Sequence, residues 1–450
     1  MFTSRAIAGR AIAGLALCLV PSVARADDGP LSIAASARLR VESIDGQFRP
    51  NAPSNDTMVS LRTTLEAEYD AGPVRFGAEL WDARAWGQDV RSSAGTAEVN
   101  ALELVQANVK VELGNKAAGG HGLLTAGRFT LDLGGRRLVS RQRFRNTTNA
   151  FTGAHLGWTA RGGQKIDVIW ALPHLRLPED AAGVRADRVQ WDRESTDLMF
   201  IGLHGSLPRI AGGVLQPYAF GLIERDSASR LTRNRRLATI GARLFRAPAA
   251  GQWDHDIEAA YQFGKARRST AVADVADLDV SAWMLHGELG HSLTAPWKPR
   301  VVAMFDAASG DGGKAGRYSR FDTLYGARRF EFGPNGLYGP FSRANIVSPS
   351  VRLEVAPSKR TDGFVAWRSA WAQNVRDSFA ATGVRDASGA SSRLAGHQIE
   401  ARVRHWIVPG LLQVDAGGAV LIKRGLLRDA PNAPATGNAR YGYVDLLLTL

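Results

Sequence analysis

Along most of the chain apolar and polar residues alternate with a period of two, the signature of strands with one apolar and one polar face. Ala35, Ala37, Leu39 and Val41 share one face, against Arg38, Arg40 and Glu42 on the other. Val59, Leu61, Thr63, Leu65, Ala67 and Tyr69 alternate in the same way with Arg62, Thr64, Glu66, Glu68 and Asp70. A tight Ala71-Gly72-Pro73 link then leads into Val74, Phe76, Ala78 and Leu80 against Arg75 and Glu79, which reads as a hairpin. The pattern returns in Val351, Leu353 and Val355 against Arg352 and Glu354, and in Ile399, Ala401 and Val403 against Gln398, Glu400, Arg402 and Arg404. Helical periodicity is scarce. The sequence holds about eighteen strands of roughly 10 to 14 residues, the length that a tilted membrane-crossing strand needs.

The connections add independent information, because short and long ones alternate. Short links fall around Ala71 to Pro73, Arg161 to Gly163, Ala247 to Gln252, Ala295 to Pro299 and Val408 to Gly410. Long polar stretches lie between them: Gln47 to Asp56, Gly87 to Glu98, Gly134 to Asn149, Pro173 to Ser195, Arg267 to Asp277, Ser309 to Pro340, Asn374 to Ser392 and Arg424 to Gly437. This predicts an all-β fold: a transmembrane antiparallel up-and-down barrel with short periplasmic turns, long extracellular loops, an even strand number and both termini at the short-turn end. Val444, Leu446, Leu448 and Leu450 against Tyr441, Tyr443, Asp445 and Thr449 read as the closing strand. Leu450 stands where such barrels usually end in an aromatic residue.

The first residues break the alternation. Arg5 and Arg10 precede the apolar run Ala11 to Val20, and Ala24-Arg25-Ala26 offers a small-x-small cleavage site, so residues 1–26 read as a secretory signal peptide and 27–450 as the barrel. The lone cysteine, Cys18, lies in that run, which leaves the mature chain without thiol or disulfide chemistry. No later apolar run reaches the roughly 20 residues of a membrane-spanning helix. The formal net charge of +13 stays positive after the leader's Arg5, Arg10 and Arg25 are removed. For an exported chain without a nucleic-acid motif, that charge points to a polyanion or lipopolysaccharide rather than to nucleic acid.

Enzyme constellations are missing from the sequence. The histidines at 121, 155, 174, 204, 255, 286, 291, 397 and 405 lack metal-ligand spacing, and Gly202-Leu203-His204-Gly205-Ser206 lacks the spacing of a nucleophile elbow. Neither a metal nor a cofactor is expected. His255, between Asp254 and Asp256, reads as a polar strand end. Trp158, Trp170, Trp283, Trp367, Trp371 and Trp406 fit interfacial girdles, with one or two available to face the lumen.

One stretch departs from strand grammar. After Gly127-Arg128-Phe129-Thr130-Leu131-Asp132 the chain gathers Arg136, Arg137, Arg141, Arg143 and Arg145 with little apolar surface, a loop loaded with guanidinium groups suited to anions. An arginine facing lipid at mid-depth costs about 2 to 4 kcal/mol, whereas one in a wet lumen costs little. Arg38, Arg40, Arg62, Arg352, Arg402 and Arg404 are therefore expected to face the lumen, where pairing with Glu42, Glu66, Glu68, Glu354 and Glu400 would make them wall braces. A barrel of this size is wider than the screening length of about 8 Å at physiological salt. Selectivity thus needs a loop that brings charge toward the axis, and Gly134 to Asn149 is the expected constriction, helped by Ser309 to Pro340.

Gly127-Arg128, Leu133-Gly134, Arg137-Leu138, Arg145-Asn146-Thr147 and Ala150-Phe151-Thr152-Gly153 resemble the signature region of the alginate export family of outer-membrane barrels. Ala308-Ser309-Gly310-Asp311, Phe321-Asp322-Thr323-Leu324-Tyr325-Gly326, Phe332-Gly333-Pro334, Gly336-Leu337-Tyr338-Gly339 and Arg343-Ala344-Asn345-Ile346 resemble a second block of the same family. The resemblance implies a monomeric barrel with an arginine-lined lumen narrowed by inward-folded loops, set in lipid and lipopolysaccharide. It places the anion path at Arg128, Arg136, Arg137, Arg145, Arg352, Arg402 and Arg404. The cargo it implies is an acidic polysaccharide, delivered by a periplasmic secretion scaffold. An uptake porin for small carboxylates is the alternative, and the sequence carries no feature that sets the direction of transport.

Overall fold

A computed structural model describes residues 29–115, 119–227 and 230–450; the leader expected at residues 1–26 lies outside them. The strands are β1 (Leu31–Asp45), β2 (Asn55–Asp70), β3 (Val74–Trp86), β4 (Asn100–Asn115), β5 (Gly120–Phe129), β6 (Phe151–Ala160), β7 (Lys165–Pro173), β8 (Leu198–Ile210), β9 (Gly213–Glu224) and β10 (Arg236–Arg246). They continue as β11 (Trp253–Ala266), β12 (Leu278–Ser292), β13 (Arg300–Ala308), β14 (Arg317–Tyr318), β15 (Ile346–Val355), β16 (Thr361–Trp371), β17 (Leu394–Val408), β18 (Leu412–Lys423) and β19 (Ala439–Thr449). Each strand pairs antiparallel with its neighbour, β13 pairs with β15, and β19 returns to β1, so 18 strands close into a barrel. The two-residue β14 is a parallel spur on β12 within a loop. Closure leaves no unpaired edge, the condition for a sheet to stand in lipid.

Direction follows from the alternation. On β1, Arg38, Arg40 and Glu42 are buried inward while Val41 is 46% exposed on the outer face. On β17, Val403 is 55% exposed outward and the Arg402 side chain between the inward positions is 21% exposed. Trp170, Trp283 and Trp367 stand on the outer face with exposed rings, whereas Trp406 shares the parity of Arg402 and Arg404 and faces in. His255 points outward between two inward aspartates, a polar strand end as expected. The seam is clamped where Arg40 and Asp445 are register partners: Nε and Nη2 of Arg40 donate to the two carboxylate oxygens at 2.5 and 2.6 Å.

Short and long connections alternate as the sequence predicts, and the structure adds to them short turns at 211–212 and 356–360, a short link between β4 and β5, and a longer link at 225–235. Among the described residues, three helices of four or five residues also interrupt the loops: α1 (Ala181–Arg185), α2 (Arg329–Phe332) and α3 (Gly425–Asp429). They are too short for a periodic pattern to announce. No helix among the described residues is long and apolar enough to cross a membrane.

The lumen is partly filled. Phe48, Phe151, Phe200, Phe321, Phe332, Phe341 and Tyr338 are buried at or below 2% exposure. Tyr325 stands edge-on to Phe151 and Phe200 at 5.2 and 5.7 Å. An aromatic core therefore lies inside the barrel and holds the loops that fold into it.

Candidate functional site: an arginine-lined constriction

Two loops cross the lumen. The first, residues 130–150, begins on the β1–β19 seam: Arg38 donates to the carbonyls of Arg143 and Phe144 at 3.1 and 2.7 Å, and the Arg40 guanidinium lies 3.9 Å over the Phe144 ring. Its other end reaches β11, where Arg137 meets Asp256 and Glu258 at 2.9 and 2.8 Å. Strands β1 and β11 lie nearly opposite in the ring of 18, so the loop spans the bore. The second loop, residues 309–345, reaches β1 through Leu337 N–H donating to Glu42 at 3.0 Å. It reaches β17 through Arg329–Glu400 at 2.6 Å and β11 through Asp322 N–H donating to Gln262 at 2.8 Å.

The loops pair with each other in mid-lumen. Val139 and Tyr325 form a parallel bridge, with Tyr325 N–H donating to the Leu138 carbonyl at 2.9 Å and Ala327 N–H to the Arg136 carbonyl at 2.9 Å. Gly326 makes this approach possible, because a Cβ there would collide with the Arg137 carbonyl.

The expected path arginines fall into two groups. Arg128 on β5 is held between Glu103 at 2.9 Å and Glu194 at 3.0 Å. Arg352 on β15 pairs with Glu354 at 2.8 Å and donates to the Phe330 carbonyl at 3.0 Å. Arg402 and Arg404 on β17 pair with Asp415 at 2.5 Å and Asp362 at 2.9 Å. Arg137, 4% exposed, pairs with Asp256, Glu258 and Glu331 together. Burial opposes its charge, but Glu331, Glu258 and Asp256 hold its pKa well above the usual arginine range. Glu331 also takes Arg343, and Asp256 takes Arg243 at 2.7 Å. This buried lattice pins both loops to the wall.

Arg145 and Arg136 differ. Arg145 donates only to the Thr147 carbonyl and to Asn149 Oδ1, at 3.3 and 3.0 Å. Burial, with Arg176 beside it, pulls its pKa well below the usual value, and Glu98 opposes that pull. Arg136, at φ +60°, stacks 4.1 Å over the Phe330 ring, and burial lowers its pKa.

Two arginines outside the first loop complete the cluster. Arg176, on the β7–β8 loop, donates to the Thr96 carbonyl at 3.0 Å and to Asn149 Oδ1 at 2.8 Å. Arg328, just before α2, feels Glu98 and Arg343 and is likewise lowered by burial. Arg145, Arg176 and Arg328 line one cavity of about 550 Å³ on the long-loop side, together with Tyr325 and Arg320. Glu98, the carboxylate near all three, is buried without an ion pair; it accepts from Gly95 N–H at 2.8 Å, and desolvation pushes its pKa up to about 7. From the sequence, the inward charge is expected of residues 134–149, with 309–340 helping, and no inward course is expected of the β7–β8 loop. Pro173 to Ser195 had the same length signal and carried Arg176.

Toward the short-turn end lies a second cavity of about 640 Å³. Its charged lining, Arg75, Glu112, His121, Lys165 and Asp167, shares the inward parity and is mixed in sign, with Glu112 ion-paired to Arg75 and Asp167 hydrogen-bonded to His155. Among the described residues no three histidine, cysteine or carboxylate side chains are placed to hold a metal ion.

A closed antiparallel barrel of 18 strands, apolar outside and charged within, narrowed by loops that cross its bore, defines the class: a porin-type channel of the outer membrane. The chain belongs to the alginate export family, whose model, described as "Alginate export", matches residues 29–435. Solved structures share the fold. OccK9 (OpdG) of Pseudomonas aeruginosa is 14% identical with a TM-score of 0.62, covering 94% of this chain and 100% of that one. OccK8 (OprE) of the same organism is 12% identical with a TM-score of 0.59, over 94% and 98%. OccAB1 of Acinetobacter baumannii is 12% identical with a TM-score of 0.60, also over 94% and 98%. A comparison with curated proteins gave no match.

Proposed function

We propose that this barrel is a passive, anion-selective channel whose selectivity resides where the two inward loops meet. The observation that carries the reading is the set Arg145, Arg176 and Arg328: three guanidinium groups on one cavity, with no carboxylate in an ion pair to any of them. Such groups hold a carboxylate through charge-assisted hydrogen bonds. Because they are several, and Arg145 and Arg176 are already partly satisfied by carbonyl and amide oxygens, an anion can pass from one to the next without being trapped. Arg128, Arg352, Arg402 and Arg404, each paired with a carboxylate, brace the wall around this path, Arg136 stands at the loop junction, and Arg137 holds the constriction in shape.

The substrate class is an organic carboxylate. The cavity of about 550 Å³ and the pinned loops favour small carboxylates or short acidic saccharides over a thick polymer, so the uptake-porin alternative gains weight beside export of an acidic polysaccharide. One barrel suffices as the unit, needs no cofactor, and reaches the membrane through an export leader at residues 1–26.

The test is reversal potential under a salt gradient in a planar bilayer, for the native protein and for Arg145→Ala, Arg176→Ala and Arg328→Ala. Anion preference should fall in each variant, and current block by small carboxylates and by oligouronates should weaken with it. An unchanged reversal potential in all three overturns the assignment. Block by oligouronates without block by small carboxylates favours the polysaccharide.

A further inference from the structure

The two rims of the barrel treat their cations differently. At the long-loop rim, outward-facing Arg236 and Lys265 each hold an aspartate, Asp277 and Asp279 respectively, the latter at 2.7 Å. At the short-turn rim Arg209, Lys298, Lys359 and Arg360 are exposed, and none has a carboxylate within ion-pair distance among the described residues. Arg246, beside a fourth turn, between β10 and β11, meets only Gln252, at 2.6 Å. Asp70 borders the first short turn and is already engaged by Arg75 at 3.4 Å.

Aromatic rings mark the depth of these cations. Trp253 and Trp297 are 59% and 63% exposed; Trp253 packs at a tilt against His291 on the outer face, and Trp297 is the chain neighbour of Lys298. Outward Tyr69 and Phe76 sit at the same end, flanking the first short turn. Such rings settle at headgroup level, so the neighbouring ammonium and guanidinium groups reach the phosphates. The four cations lie on three hairpins of the rim, Lys359 and Arg360 sharing the β15–β16 turn. Cations spread over several hairpins suit many small ligands better than one large partner.

We propose that the short-turn rim binds anionic phospholipid headgroups of the periplasmic leaflet, with Arg209, Lys298, Lys359 and Arg360 as the phosphate contacts. Lysine serves as a point charge and arginine as a two-pronged donor to phosphate oxygens, and the unpaired state of all four leaves those donors free for lipid. The attraction acts within a Debye length of the surface.

The test compares quenching of tryptophan fluorescence by brominated phosphatidylglycerol and by brominated phosphatidylcholine in mixed vesicles. The native barrel is expected to prefer phosphatidylglycerol by about threefold, less at high salt. The combined variant Arg209→Gln, Lys298→Gln, Lys359→Gln and Arg360→Gln should fall to parity. Arg236→Gln with Lys265→Gln, at the opposite rim, should keep the preference. Electrophoretic mobility of the unheated barrel checks that both variants are folded. No preference in the native protein overturns the proposal, as does a preference that survives the fourfold change or is lost to the same extent in the opposite-rim variant. A variant that loses anion selectivity in bilayers while keeping its lipid preference also overturns it, and assigns these cations to steering of solutes.

Discussion

Arg137 and Arg145 lie eight positions apart on one loop, yet the fold treats them in opposite ways. Arg137 sinks into three carboxylates contributed by β11 and by the second loop. Arg145 finds only a carbonyl and an amide oxygen. A guanidinium among carboxylates has its charge cancelled and its donors spent, so it fixes geometry and attracts little else. One held by neutral oxygens keeps its field. The anion-selecting power of a basic channel therefore depends less on how many arginines line it than on how many lack an acid partner.

The largest expected effect comes from breaking the paired side. Arg137→Ala leaves Glu258 buried without an ion pair and takes one of two cationic partners from Asp256 and from Glu331, which keep Arg243 and Arg343, at a cost of about 3 to 5 kcal/mol. The loops should lose their seat, and single-channel conductance should rise with more open-state noise while the barrel still migrates as folded in unheated gels. Native conductance in this variant would mean that the lattice does not hold the constriction.

On the unpaired side, Arg145→Ala removes a charge without orphaning a carboxylate in an ion pair. Block by a small carboxylate should weaken about tenfold, equivalent to about 1.4 kcal/mol, with thermal stability nearly unchanged. A large loss of stability would give Arg145 the same bracing role as Arg137 and erase the contrast.

Acidity sharpens the comparison through Glu98. Its carboxyl group titrates near 7 in the folded protein because it is desolvated, against about 4.3 when unfolded. As pH falls through 7 the folded chain takes up a proton that the unfolded chain does not. The electrostatic cost of the buried carboxylate is relieved over that window, and Arg145, Arg176 and Arg328 lose the one carboxylate charge that acts on all three. Anion preference, read as reversal potential, should rise between pH 8 and pH 6, as ordinary working conditions of about that range allow; Glu98→Gln should abolish the rise.

The smallest effect belongs to the wall. Arg404 and Asp362 are 39% and 46% exposed, and such a pair is worth about 0 to 1 kcal/mol. Arg404→Gln should leave both thermal stability and reversal potential close to native.

The barrel was legible in the sequence because two rules act on every strand: alternation sets which side faces lipid, and connection length sets which end carries loops. Arg38, Arg40, Arg62, Arg352, Arg402 and Arg404 face inward on that basis alone. The inward course of residues 134–149 followed from the same logic of charge and length. Pairing did not, since nothing local links Arg137 to Asp256, more than a hundred positions away. Arg176 and Arg328 were hidden for a related reason: each lies on a different loop, and only the closed bore brings them to Arg145. Helices of four or five residues such as α2 are fixed by what they pack on and leave no periodic trace.

The first loop rests on the seam where β1 meets β19, with Phe144 edge-on to Tyr443 at 5.2 Å as well as under Arg40. Its landing place is thus built from the earliest and the latest strands of the polypeptide, and its far anchor on β11 exists only across a finished circle. An open, half-assembled sheet offers neither, and long-range contacts of this kind form late because chain entropy opposes them until the ends have met. The order of assembly follows: the cylinder shuts first, and the passage acquires its final calibre only afterwards.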